Sequence, residues 1–216
     1  RHQDGSDWGV YARRFAPSGT ALGDEFQVNS NSLFSQAEPA ISVASDGAFI
    51  VTWSSFAGGD DSWDVFARRF DANMQPQSDE FRVNDARAGH QRNSKPAMLD
   101  DGTSVVVWQD GVPDGSGWEV LAREVTATGD LLDAPLLANQ RTNGYASGHQ
   151  QTPSPAVTEF GDILVAFSGN GIEDHGGVYV QQLRGSVTLA IDPIPDRTID
   201  ELTLLAVDAN ATSSSP

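Results

Sequence analysis

Carboxylates are the side chains of this chain best placed to do chemistry, because they gather in short loops rich in Gly and Ser. Asp4 and Asp7, Asp60, Asp61 and Asp64, Asp110 and Asp114, and Glu173 with Asp174 form such groups. A hard cation such as Ca²⁺ takes about six to eight oxygen ligands from flexible loops of this kind. The candidate metal ligands are therefore Asp4, Asp7, Asp60, Asp61, Asp64, Asp110, Asp114 and Asp174, and calcium is the one cofactor the sequence suggests. Against it stands the spacing. No group contains an alternating Asp-x-Asp-x-Asp-Gly run, and Asp, Gly and Ser also build plain water-facing turns.

Other chemistry is thinner. Arg13, Arg68 and Arg123 occupy one repeat position and could grip a carboxylate, but repetition explains their number and pairing with Asp or Glu is expected instead. His90 and His149 share a Gly-His-Gln register, while His2 and His175 flank acidic loops. Trp8, Trp63 and Trp118 would stack on sugar rings if they reached the surface; in repeat register they are expected to fill gaps between units. No Ser-His-Asp constellation, phosphate loop or zinc spacing is present, so no catalytic residue is assigned.

What must position these residues is a repeat. Trp8-Gly9-Val10-Tyr11-Ala12-Arg13-Arg14-Phe15 returns as Trp63-Asp64-Val65-Phe66-Ala67-Arg68-Arg69-Phe70 and as Trp118-Glu119-Val120-Leu121-Ala122-Arg123-Glu124-Val125. A weaker copy is Gly177-Val178-Tyr179-Val180-Gln181-Gln182-Leu183. Val10, Val65 and Val120 lie 55 residues apart, and Val178 follows after 58. Asn29, Asn84 and Asn139 keep the register, as do Gln36, Gln91 and Gln150, the prolines Pro39, Pro96 and Pro155, and the turns Asp46-Gly47, Asp101-Gly102 and Gly161-Asp162. Helical periodicity is missing, and each unit reads as four short strands. In the first they are about Val10 to Phe15, Glu25 to Asn29, Ala40 to Ala44 and Phe49 to Trp53. Both faces of such a sheet carry apolar residues, so each unit must hide them against its neighbours.

The fold expected is all-β, a β-propeller-like array of four-stranded antiparallel blades with about three full units and part of a fourth. It is either an incomplete propeller, a small ring or an open array. The repeat region spans 1–185, with units near 8–62, 63–117 and 118–176 and a partial one at 177–185. Residues 186–216 read as an exit strand, a Pro-rich linker and the start of a second β domain.

Composition narrows the partners. The formal charge of −17 repels phosphate backbones and anionic lipid, which excludes nucleic acid. No apolar run is long enough to insert in a membrane. Cysteine is absent, so the core alone must stabilise the fold.

The pattern of Asp-Gly, apolar strand, Trp, acidic loop and then Val-Phe-Ala-Arg-Arg-Phe, over about Asp4 to Arg184, resembles tandem repeats of very large bacterial surface and secreted proteins. Pro195-Asp196-Arg197-Thr198-Ile199-Asp200-Glu201 is similar to the start of bacterial immunoglobulin-like (cadherin-like) domains, with Arg197 and Leu202 departing from that pattern. The resemblance implies an extracellular or cell-surface bacterial protein that binds a glycan or protein ligand. On it rests the expectation of a non-catalytic, adhesive or structural segment that is not an enzyme. The alternative is a secreted glycan-acting hydrolase or lyase, recognisable by residues that break the repeat symmetry in one unit, and the third unit is the place expected, with its insertions around Asn143 to His149 and Ser168 to Asp174.

Overall fold

The computed structural model describes residues 7–56, 62–86, 89–112, 117–138, 140–141, 144–145, 148–158, 161–169 and 176–183. Over these the protein is a β-propeller-like array of antiparallel sheets, without a helix. Strands β1 (Tyr11–Ala12) and β2 (Phe26–Gln27) pair first. A four-stranded meander follows, of β3 (Gln36–Val43), β4 (Phe49–Phe56), β5 (Trp63–Phe70) and β6 (Phe81–Arg82). The next is built from β7 (Gln91–Met98), β8 (Ser104–Val112), β9 (Gly117–Val125) and β10 (Leu136–Leu137). A short ribbon, β11 (Gln140–Arg141) with β12 (Gly144–Tyr145), precedes a three-stranded sheet of β13 (Gln150–Val157), β14 (Ile163–Gly169) and β15 (Gly177–Leu183). Each full sheet thus takes its first two strands from one sequence repeat and its last two from the next. Residues 186–216, with the expected linker and immunoglobulin-like start, lie outside the described residues.

The hairpins between first and second strands form where the Asp-Gly signals stand. Gly102 has φ +86°, and a Cβ there would come within 3.0 Å of the Ala127 Cβ, so glycine is required both by the turn and by the neighbouring loop. Alternation then sends residues of each second strand to opposite neighbours. Phe49, Val51 and Trp53 pack back on Val10 and Val28, while Ile50, Val65 and Ala67 pack forward on Val106, Trp108, Leu121 and Val125. Val105, Val107 and Val120 in turn meet Ile163, Val165 and Leu183. Both faces of the sheets are therefore core, as the repeat requires. Trp53 and Trp108, which end the apolar runs, are fully buried, and truncating such a residue to Ala costs about 3–5 kcal/mol.

The register polar residues are struts of this stack. The Asn29 side-chain oxygen accepts from the Val10 amide at 2.8 Å and that of Asn84 from the Val65 amide at 2.7 Å. Each Asn then donates its amide to the buried Gln36 or Gln91, at 3.3 Å in both cases. The twin arginines divide their labour. Arg68 reaches back to the Val28 carbonyl at 3.0 Å, and Arg69 reaches forward to the Gly102 carbonyl at 2.7 Å.

Every first strand is broken by the same irregularity. The ladder slips after Ala37, Arg92 and Gln151, and Glu38, Asn93 and Thr152 adopt φ of +56°, +55° and +52°. For residues with a Cβ this left-handed backbone costs about 1 kcal/mol or more each. The bulge also corrects the proline register. Pro96 and Pro155 pair with Val106 and Val165, and their counterpart in the first full sheet is Ile41, opposite Val51, whereas Pro39 falls in the bulge.

Candidate functional site

One end of the array collects the chemistry: there β3, β7 and β13 begin, β4, β8 and β14 end, and β5, β9 and β15 begin. The three repeat tryptophans stand at this end. The expectation that they fill gaps between units needs correction, since Trp8 is 46% exposed and Trp63 and Trp118 are half-buried. They sit at strand mouths, past the sheet-on-sheet contact that buries Trp53 and Trp108. Trp63 lies under the Arg92 guanidinium, 5.4 Å from ring centre, and Trp118 stacks with His90 at 6.5 Å.

Across this end each sheet lays one row of three paired residues. The rows are Gln36–Ser55–Asp64, Gln91–Asp110–Glu119 and Gln150–Gly169–Gly177. The Gln is constant because it braces the fold, but the rest of the row varies, and only the middle sheet sets two carboxylates side by side. Asp110 is wholly buried there. It accepts from the Gln91 amide and from the Trp108 indole N–H, each at 3.4 Å.

A cleft of about 250 Å³ opens beside this row, between the two four-stranded sheets. Asp110, Glu119, Trp108 and Leu121 line it from β8 and β9, and Asn84 with Asp85 from the end of β6. Arg123 fixes the Asp85 carboxylate at 3.0 Å while also donating to the Val83 carbonyl at 2.9 Å. Asp85 and Glu119 thus line one interblade space from neighbouring sheets, with the buried Asp110 paired beside Glu119.

Nearer the first strands, Glu38 accepts from Ser54 at 2.7 Å, from the Asn93 amide at 3.1 Å and from Arg92. Burial pushes its carboxyl up, but the hydrogen bonds from Arg92, Ser54 and Asn93 outweigh that and hold it below the usual carboxylate range.

The candidate metal ligands separate. Asp7 accepts from Ser35 at 2.8 Å, and Asp64 accepts from Asn84 at 2.7 Å and lies 3.7 Å from Arg82. Asp110 is held by Gln91 and Trp108. Asp4, Asp60, Asp61, Asp114 and Asp174 fall outside the described residues, and among the described residues no three metal-ligating side chains come together. The repeat arginines mostly bind carbonyls, contrary to the carboxylate pairing expected. Arg13 donates to Gly23 O at 2.9 Å and Arg68 to Ser78 O and Val28 O, while Arg123 adds Asp85. Arg68 uses two nitrogens of its fork to join two carbonyls, whereas Arg13 and Arg123 each donate through one. Sequence reading passed over Asp85, Glu119 and Glu38. A comparison of the strand ends across repeats carries the signal for the first two, since Asp85 and Glu119 replace Ser30 and Asp64 of the preceding unit.

No family model matches the chain, and no curated protein matches it. Among solved structures it is similar to an endo-arabinase from Bacteroides thetaiotaomicron, at 9% identity and a TM-score of 0.47, over 76% of this chain and 62% of that one. An endo-1,4-beta-xylanase from the same organism gives 11% and 0.45, over 78% and 60%. An endo-arabinanase from Bacillus licheniformis gives 10% and 0.43, over 74% and 58%. The chain thus spans about three-fifths of the length of these structures. The expectation of a non-catalytic, non-enzymatic segment is corrected here. These neighbours are glycan-cleaving enzymes. No helix among the described residues is long and apolar enough to cross a membrane.

Proposed function

We propose that the chain is the propeller-like part of an exported bacterial protein that hydrolyses glycans, with its reacting centre in the cleft between the two four-stranded sheets. The observation that carries this is that Asp85 from one sheet and Glu119 from the next line the same cleft, with the buried Asp110 beside Glu119. Glycoside hydrolysis needs one carboxyl group to protonate the leaving oxygen and a second to activate water or attack the sugar. Glu119 is the acid in this reading and Asp85, oriented by Arg123, the base or nucleophile. Asp110 is a positioning residue, because it has no surface to offer a substrate.

The test is release of reducing ends from neutral arabinan, xylan and glucan by the 216-residue chain. Activity is expected from the wild type, and Glu119→Gln is expected to lower it by about 100-fold or more at an unchanged melting temperature. Cleavage that survives Glu119→Gln would overturn the assignment of the acid. No cleavage of any of the three would overturn the reading itself.

A further inference from the structure

We infer that Asn93 and Thr152, in the bulge column that Glu38 opens, read the hydroxyl groups of a neutral glycan along the first strands, beside the proposed cleavage site. The inference rests on the glycan reading and specifies which part of the fold selects the chain. Its starting point is the backbone. Each residue stands two places after the constant Gln36, Gln91 or Gln150, and each takes a left-handed conformation that glycine adopts without strain. Glycine is absent from all three positions, so the side chain is kept in spite of the backbone.

The side chains are polar in every case yet differ in kind: a carboxylate, an amide and a hydroxyl. Each is pinned to the residue sixteen places on. Glu38 accepts from Ser54, Asn93 joins its amide to that of Gln109, and the Thr152 and Ser168 hydroxyls lie 2.8 Å apart. Pinning fixes the rotamer and leaves hydrogen-bonding capacity over, since an amide and a hydroxyl each serve more than one partner. Asn93 is half-buried and Thr152 exposed, so both reach solvent. First strands of successive sheets lie against each other, and Arg92 ties the Glu38 bulge to the next, which makes the three positions one continuous edge. Trp63, half-buried between Arg92 and Phe56, puts an aromatic ring at this edge. Fixed polar groups beside an aromatic ring suit a sugar, which offers hydroxyls at its rim and C–H groups on its faces.

Charge selects against acidic sugars. Arg82, Arg92 and Arg123 at this end are each engaged by a carboxylate, Asp64, Glu38 and Asp85, and Lys95 lies two residues further down β7. Among the described residues, the guanidinium groups a uronate would meet at this end are already paired with carboxylates.

Asn93→Gly and Thr152→Gly test the row, because glycine keeps the left-handed backbone and removes only the side chain. Binding of neutral xylo-, arabino- and cello-oligosaccharides and of an oligogalacturonate is measured by calorimetry on the full chain. The wild type is expected to bind at least one neutral series and not the galacturonate. Each glycine variant is expected to melt no lower than the wild type, to bind at least about fivefold more weakly and to raise KM with little change in kcat. Thr152→Ser is expected to restore binding. Glycine variants that bind like the wild type, or tighter binding of the galacturonate, would overturn this inference and leave the cleavage site standing. A wild type that binds none of the oligosaccharides would overturn the glycan reading and this inference with it.

Discussion

At the scale of single residues, two glutamates make opposite predictions about pH. Glu38 has its carboxyl held below the ordinary value, so its contribution to stability is full above the unfolded pKa and is lost as pH falls through the folded one. Glu38→Gln should therefore melt below the wild type at neutral pH, with the gap closing in acid. Glu124 behaves in reverse. It stands where Arg69 stands in the preceding unit, and burial, then Asp101 and Asp133, push its carboxyl up. It favours the fold in acid and loses that advantage as pH rises through the raised value. Glu124→Gln should melt above the wild type at neutral pH, and melting curves at pH 4 to 8 read both effects. Neither role is legible in a single repeat, since a Glu in a loop or strand looks like any solvated charge. Comparing repeats exposes Glu124 as the odd member of its column, whereas Glu38 becomes visible only when the bulge brings Arg92 to it.

At the scale of elements, the sheets are joined by side chains that the sequence marks by register without saying what they do. Arg68 and Arg123 each donate to a carbonyl forty residues back, Val28 and Val83, across the gap between sheets. Arg68→Ala is expected to cost about 1–3 kcal/mol, because a half-buried carbonyl loses a charged donor. Arg68→Lys should recover only part, since an ammonium cannot serve the Ser78 and Val28 carbonyls in one plane. Urea denaturation measures both. The strands themselves were readable from β-branched runs bounded by Asp-Gly turns. Their phase was not, because a repeat of four strands looks alike wherever it is cut, and only hydrogen bonding shows that a sheet starts at Gln36 and not at Trp8. The bulges were hidden too. Left-handed Glu, Asn and Thr carry no mark in the sequence, where Gly would have announced the turn.

At the scale of the whole molecule, each sheet is stabilised by its neighbours, so stability should vary along the array. The forward arginine that ties the first two full sheets is Glu124 at the next interface. Amides of β13 to β15 should accordingly exchange with solvent faster than those of β7 to β9, and hydrogen exchange under native conditions measures the difference. The propeller-like architecture was legible from the repeat because a core on both faces leaves few alternatives. The candidate cleft was legible only in part: Asp110 stands among the acidic-loop candidates, whereas Asp85 replaces Ser30 of the preceding unit and Glu119 replaces Asp64, and single residues of this kind look like ordinary solvated charges until the sheets bring them to one space.

That space is open to direct inspection in a crystal structure of Glu119→Gln, disabled for cleavage, soaked with an intact neutral oligosaccharide. The glycosidic oxygen should lie within hydrogen-bonding reach of residue 119, with the Asp85 carboxylate on the far side of the scissile bond. An oligosaccharide bound elsewhere, with the space between Asp85 and residue 119 left to solvent, would contradict the account.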